Sequence, residues 1–278
     1  MTGPHEPGLP DLFAPGAIVL DERAADWEAA VRASGRLLEE SGVADAVYTE
    51  AMVASVHDNG PYIVLAPGFA LAHARPSEAV HRTGMAWVRL ASPVEFGHAK
   101  NDPVTLVVAL AALDGSAHQA AMGSLALLLA DPEARAALDS AATPDDVRAL
   151  LAGGRPAAEP APAEPAPTGS SSGLGGGTTR DHVLTVCGNG LGTSLFLKNT
   201  LEKVLQRWGW AQLLTVEATD TVSARGKAKD ADLILTSAEI AATLGDVGVP
   251  VRVIENFTSE TEIDATLRDA YDVASLER

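Results

Sequence analysis

The sequence predicts an α/β protein built as two bodies: a mixed-sheet α/β or α+β domain, then a smaller domain on a four-stranded parallel sheet. Three observations carry this expectation. A run rich in Pro, Ala, Gly and Ser at 153–179 cannot build a core and divides the chain. The near-continuous apolar run at 104–113 reads as a strand buried on both faces. After residue 180, apolar segments of strand length alternate with helical periodicity, which favours a parallel sheet covered by helices on both sides. The resulting organisation is a tail at 1–14, a domain at 15–152, a linker at 153–179 and a domain at 180–278. A chain of 278 residues with 46% hydrophobic but only 4% aromatic residues must rest its cores on Ala, Val and Leu.

In the first body, Asp21 is a candidate cap for a helix whose inward positions are Trp27, Val31, Ser34 and Leu38, with Gly42 as its stop. A second helix is expected over 45–57. Segments 62–66 and 70–72 read as short strands around Pro67-Gly68, and 84–90 and 104–113 as longer ones. Ser116 is the expected cap of a helix that turns Met122, Leu125 and Leu129 inward, and 145–151 closes the body as a short helix. In the second body, 182–186, 213–216, 233–236 and 251–254 read as strands. Helices are expected at 193–208, stopped by Gly209, near 238–244, and over 260–276.

The net charge of −17 repels phosphate backbones and anionic membranes, which argues against nucleic acid and favours docking to basic patches on proteins. The single cysteine, Cys187, cannot form an internal disulfide. Residues 1–16 lack a basic stretch followed by an apolar run, so no ordinary secretory signal is expected. No window reaches the ~18 continuous apolar residues of a membrane helix, so no direct membrane insertion is expected. A cytoplasmic setting follows as the expectation, and a transport role would require a separate membrane protein.

Between the first strand and first helix of the second body lies Val186-Cys187-Gly188-Asn189-Gly190-Leu191-Gly192-Thr193-Ser194. In parallel α/β sheets, ligands bind at the carboxyl ends of strands. Three glycines let backbone N–H groups turn inward, and the following helix aims its positive end at the same place. Thr193 and Ser194 add hydroxyls. A thiol at the mouth of such a cradle is expected to have a lowered pKa and to accept a phosphoryl group. The loop resembles the signature of low-molecular-weight tyrosine phosphatases, in which Arg stands six residues after the Cys. Here that position is Thr193, and without the guanidinium grip a phosphocysteine should hydrolyse slowly and survive for transfer. The same stretch resembles the active loop of enzyme IIB components of the sugar phosphotransferase system, in particular the ascorbate-type branch of the lactose-like class. The resemblance implies that Cys187 carries phosphate, cradled by Gly188, Asn189, Gly190, Leu191, Gly192, Thr193 and Ser194.

The first body contains Gly60-Pro61-Tyr62-Ile63-Val64-Leu65-Ala66-Pro67-Gly68-Phe69-Ala70-Leu71-Ala72-His73-Ala74-Arg75-Pro76. His73 ends a short strand, its neutral imidazole is a nucleophile near neutral pH, and Arg75 can hold a phosphoryl oxygen. The segment resembles the active stretch of mannitol/fructose-class enzyme IIA, especially its ascorbate-type branch. That resemblance extends over nearly all of 15–152, including Val94-Glu95-Phe96-Gly97-His98 and Asn101-Asp102-Pro103. Ala72 stands where the family usually has Pro. The resemblance implies phosphohistidine at His73 and a second active histidine at His118, near a helix start where imidazole is biased toward neutral. His98 precedes a polar turn and reads as a docking or loop residue, and His57 and His81 as surface groups.

Together the two resemblances imply a relay. A histidine-containing phosphocarrier protein would load His73, His73 would pass the group to Cys187, and a membrane enzyme IIC would present a sugar to Cys187, L-ascorbate or a related sugar acid or pentitol. No metal or nucleotide cofactor is expected, since phosphoryl transfer needs mainly alignment and charge stabilisation. The linker would make the internal transfer intramolecular. The rival readings are a cysteine phosphatase and a regulatory binding module.

Overall fold

The computed structural model describes residues 8–129, 131–153, 182–187, 192–211 and 213–271. It contains two sheets. The first has five strands in the order β1-β4-β5-β3-β2: β1 (Phe13–Glu22), β2 (Val64–Ala66), β3 (Phe69–His73), β4 (Gly84–Val94) and β5 (Val104–Ala111). β1 runs parallel to β4 and β3 parallel to β5, while β4–β5 and β2–β3 are antiparallel, so the sheet is mixed.

Alternation along β5 explains how both faces are covered. Leu106, Val108 and Leu110 join a core with Met122, Leu125 and Leu129 of α3 (Gly115–Leu129) and with Leu138 of α4 (Pro132–Ser140) and Val147 of α5 (Pro144–Gly153). Val107, Ala109 and Ala111 point the other way, toward α1 (Trp27–Glu40) and α2 (Ala46–Asn59). The small residues Ala70, Ala72, Ala86 and Ala109 let those two helices lie close on the sheet.

The second sheet is all parallel, in the order β7-β6-β8-β9: β6 (His182–Cys187), β7 (Thr215–Asp220), β8 (Leu233–Thr236) and β9 (Val251–Val253). Val183, Leu233 and Leu235 face α6 (Gly192–Trp208) and α9 (Glu260–Tyr271). Leu184, Val186 and Ile234 face α7 (Thr221–Lys227) and α8 (Ala238–Leu244). Each core runs on through both sheets' surroundings; Phe69 of β3 meets Phe196 of α6 with ring centroids 6.3 Å apart.

Several local expectations shift. β1 takes in Phe13 and Ala14 of the expected tail and runs on through Asp21, a position expected to cap a helix. Its Pro15-Gly16 pair sits on an edge strand with register shifts, where a missing N–H is tolerated, and Phe13 is core. Asp21 is in that strand at φ 64°, and the cap of α1 is Asp26, whose side chain accepts from the Ala29 N–H. Ser116, the expected cap, lies inside α3, and Asp114 ahead of the helix accepts from the Ala117 N–H. β7 begins two residues later than expected, and α4 and α7 add helices too short to show a clear period. Of the expected linker, residues 154–179 lie outside the described residues, as does the end of the last expected helix beyond Tyr271.

The α1–α2 crossing depends on Gly35. A Cβ there would lie 2.4 Å from Thr49 Cγ2 and 2.8 Å from Thr49 Cβ, and no rotamer change moves the latter. Gly→Ala inside a helix ordinarily stabilises by about 1 kcal/mol. At Gly35 overpacking should win, and Gly35→Ala should lower stability by about 1–3 kcal/mol, read as a drop in the urea midpoint with an unchanged slope.

Candidate active site

β3 ends at His73 because the chain must leave the sheet at Ala74, where Tyr48 of α2 holds it. The Tyr48 hydroxyl lies 3.0 Å from the Ala74 carbonyl and 2.8 Å from that of Leu110, and accepts from the Ala74 N–H at 3.1 Å. Burial pushes its pKa up to about 12, the Ala74 bond opposing, so it stays a neutral clamp. His73 itself is 1% exposed. Its Nδ1 lies 3.0 Å from the Leu71 carbonyl. A carbonyl only accepts, so the proton sits on Nδ1 and Nε2 carries the ring's lone pair. Burial lowers the imidazole pKa, with the Leu71 bond opposing, and the ring is neutral near pH 7.

Tyr62 stands edge-on to the His73 ring, centroids 5.8 Å apart at 76°, and shares a 2.7 Å hydrogen bond with Ser55. Burial pushes its hydroxyl above the ordinary tyrosine range, against the Ser55 bond, and Cys187 of the second sheet is near enough to add to the rise. Tyr62 thus touches the His73 ring and also lies near enough to Cys187 to feel its charge.

Cys187 ends β6, in register with Asp220 at the end of β7. Its Sγ lies 3.4 Å from Ser194 Oγ and 3.8 Å from the Thr219 carbonyl. Thr185 donates to the Ser194 carbonyl and Thr236 to the Val186 carbonyl, so the strand ends and the first turn of α6 are tied together. Thr193 and Ser194 are buried beside the sulfur. The expectation of a lowered thiol pKa is corrected here. Cys187 is 1% exposed, and burial pushes the thiol up; bonds from Ser194 and Thr193 oppose it, and the nearby Asp220 charge adds to it. Desolvation of the buried sulfur outweighs the opposing hydroxyls.

Arg75 is exposed, but its charge reaches Asp220. Burial raises the Asp220 carboxyl, and the bonds from Ser223 and Val222 together with Arg75 outweigh that and leave it below the usual carboxylate value. His118 lies in the first turn of α3; its side chain is outside the described part of the structure. Gly188, Asn189, Gly190 and Leu191 also lie outside the described residues, and Gly192 opens α6. His98 is a turn-former whose Nδ1 accepts from the N–H groups of Lys100 and Asn101. Sequence reasoning missed Tyr48 and Tyr62. Their helical and strand positions read as ordinary core, and only the fold shows what their hydroxyls touch.

Residues 11–153 match the family model described as phosphoenolpyruvate-dependent sugar phosphotransferase system, EIIA 2. Residues 182–269 match the model described as PTS system, lactose/cellobiose specific IIB subunit. Over 103 residues the chain is 43% identical to the ascorbate-specific PTS system EIIA component of Shigella boydii serotype 4 (strain Sb227), spanning 37% of this chain and 67% of that protein. The component of the same name from Escherichia coli (strain K12) is 41% identical over the same coverage. The solution structure of the mannitol-specific cryptic phosphotransferase enzyme IIA CmtB from Escherichia coli is 32% identical, at a TM-score of 0.49, over 52% of this chain and 99% of its own. With half its length in the first match and most of the remainder in the second, the chain belongs to the EIIA 2 family of the sugar phosphotransferase system, carries a IIB unit fused behind it, and is made of phosphotransferase components.

Proposed function

We propose that the chain relays a phosphoryl group from a histidine-containing phosphocarrier protein to His73, then to Cys187, and then to a sugar presented by a membrane enzyme IIC. The observation that supports this reading is a buried, neutral, Nδ1-protonated imidazole in ring contact with Tyr62, the same tyrosine whose hydroxyl pKa is raised by the nearby Cys187. In the first step Nε2 attacks phosphorus, a new N–P bond forms, and the donor's N–P bond breaks. In the second, sulfur attacks the same phosphorus. The S–P bond forms, the His73 N–P bond breaks, and the thiol proton passes to the lone pair regained by Nε2. A dry site suits both steps, because fixed dipoles replace water around the transferred charge. His118, Arg75 and the cradle of residues 188–194 are proposed to hold the phosphoryl oxygens.

No helix among the described residues is long and apolar enough to cross a membrane, which is why entry of the sugar is assigned to a separate permease at the cytoplasmic face. The relatives named for ascorbate support L-ascorbate, or a related sugar acid or pentitol, as the acceptor. The missing Arg at position 193 weighs against phosphatase turnover.

Labelled phosphoenolpyruvate with the general phosphotransferase proteins tests the relay. Wild type should carry acid-labile phosphohistidine and acid-stable phosphocysteine. Cys187→Ser should stall with label on His73 alone, and His73→Ala should take up none at either position. Label on Cys187 in the His73→Ala variant would overturn the order of transfer.

The depressed His73 pKa makes a second prediction. Between the unfolded value near 6.5 and the lower folded value, the unfolded chain binds more protons. The stability due to the neutral buried ring is therefore present above about pH 6.5 and is lost as pH falls through the folded pKa. The urea midpoint should fall more steeply between pH 7.5 and 5.5 in wild type than in His73→Gln.

A further inference from the structure

Away from both nucleophiles, two loops meet across the boundary between the sheets, and each is built rigidly before it meets the other. On the EIIA side, the Asp102 carboxylate accepts from the N–H groups of Phe96, Gly97 and His98. His98 Nδ1 then accepts from Lys100 and Asn101, and the Asn101 carbonyl accepts from Gly68. On the IIB side, the Glu262 carboxylate accepts from the N–H groups of Glu255 and Asn256 at 2.7 and 3.0 Å. Asn256 Oδ1 in turn accepts from the Thr258 N–H and hydroxyl, and Thr200 of α6 donates to the Phe257 carbonyl.

The contact joining these loops is mostly backbone-directed. Asn101 Nδ2 donates to the Glu255 carbonyl at 2.7 Å while also reaching the Val64 carbonyl at 3.2 Å. The Phe257 N–H donates to the Leu65 carbonyl at 2.9 Å, and Lys100 pairs with the Glu255 side chain at 3.2 Å. Asn101 is 2% exposed, and Phe257 is core. A buried amide side chain that spends a hydrogen on the other unit leaves that unit's carbonyl and its own N–H unsatisfied if the contact opens without water entering. Nothing in this cluster is a nucleophile or a phosphate ligand, yet it carries more order than a surface loop requires.

We propose that loop 255–259 is a docking latch: it seats the IIB unit on loop 96–102 and strand β2 of the EIIA unit and thereby closes Cys187 over the His73 side of the molecule. The role in transfer rests on the relay proposed above; the latch itself does not. Its preformed loops lower the ordering cost of each docking event, which makes closing and opening repeatable rather than permanent. His98 and Asp102 act in it as positioning residues, since they shape the loop that presents Lys100 and Asn101.

The sole cysteine is the reporter. In the full, unphosphorylated chain, an aromatic disulfide reagent should modify Cys187 slowly, because the sulfur is buried, and under the latch that burial requires the two units to stay seated. Asn101→Asp sets a carboxylate against two carbonyls and should speed modification about tenfold. Lys100→Glu, at an exposed position that leaves the folds intact, should speed it about threefold, and Lys100→Glu/Glu255→Lys should return it toward wild type. Wild-type rates in Asn101→Asp and Lys100→Glu, or a double variant no slower than Lys100→Glu, would overturn the latch. The reagent reads sulfur exposure without phosphate, so this result stands apart from whether label ever reaches Cys187.

Discussion

Two strand ends, one bearing an imidazole and the other a thiol, are each shut off from water, and the remaining structure can be understood as what keeps those two burials consistent. Removing water moves both groups toward their neutral forms, the imidazole pKa downward and the thiol pKa upward. Neutral groups can be packed where ions could not, and the neighbours are buried accordingly: Tyr62 beside His73, and Thr193 and Ser194 beside Cys187. The helices around the first sheet then have a definite task. α2 supplies Tyr48, which ties the backbone leaving His73 to that of β5, so the position of His73 is inherited from the centre of the sheet.

The two sheets solve the same problem by different topologies. In the IIB unit all strands run one way, and Cys187 and Asp220 come out together at the carboxyl edge above the start of α6, as the general rule for such sheets requires. In the EIIA unit the strands are mixed, but His73 still emerges from β3, which runs parallel to its neighbour β5. Alternation along β5 gives bulky Leu and Val to the face under α3 and mostly smaller residues to the face under α1 and α2. The closely seated pair of helices lies on that second side, with Gly35 at their crossing.

Much of this was legible in the residues. The apolar run at 104–113 announced a buried strand, the expected strand at 182–186 and helix at 193–208 are both present, though loop residues 188–191 between them lie outside the described residues, and His73 fell at a strand end as expected. What was not legible has physical causes. Pro15-Gly16 disguised β1, because an edge strand with bulges tolerates residues that a central strand does not. Asp21 and Ser116 both looked like caps; Asp26 and Asp114 hold the amides instead, and only backbone geometry separates such neighbours. The thiol's environment was misread because a loop inspected alone has open solvent before it. The sulfur is instead buried, and Tyr62 of the first body lies near enough to feel its charge, which no local pattern in 180–278 encodes. The ordered loop at 96–102 gave a partial signal through Asp102 and His98, but its partner loop lies more than 150 residues away in sequence.

The enclosure of the only sulfhydryl also bears on chemical durability. Oxidants attack the ionised, accessible form of cysteine and carry it, through sulfenic acid, to states that are not readily reversed. A buried sulfur kept protonated offers peroxide little to react with. The same burial that raises the thiol pKa thus also lets this side chain age slowly.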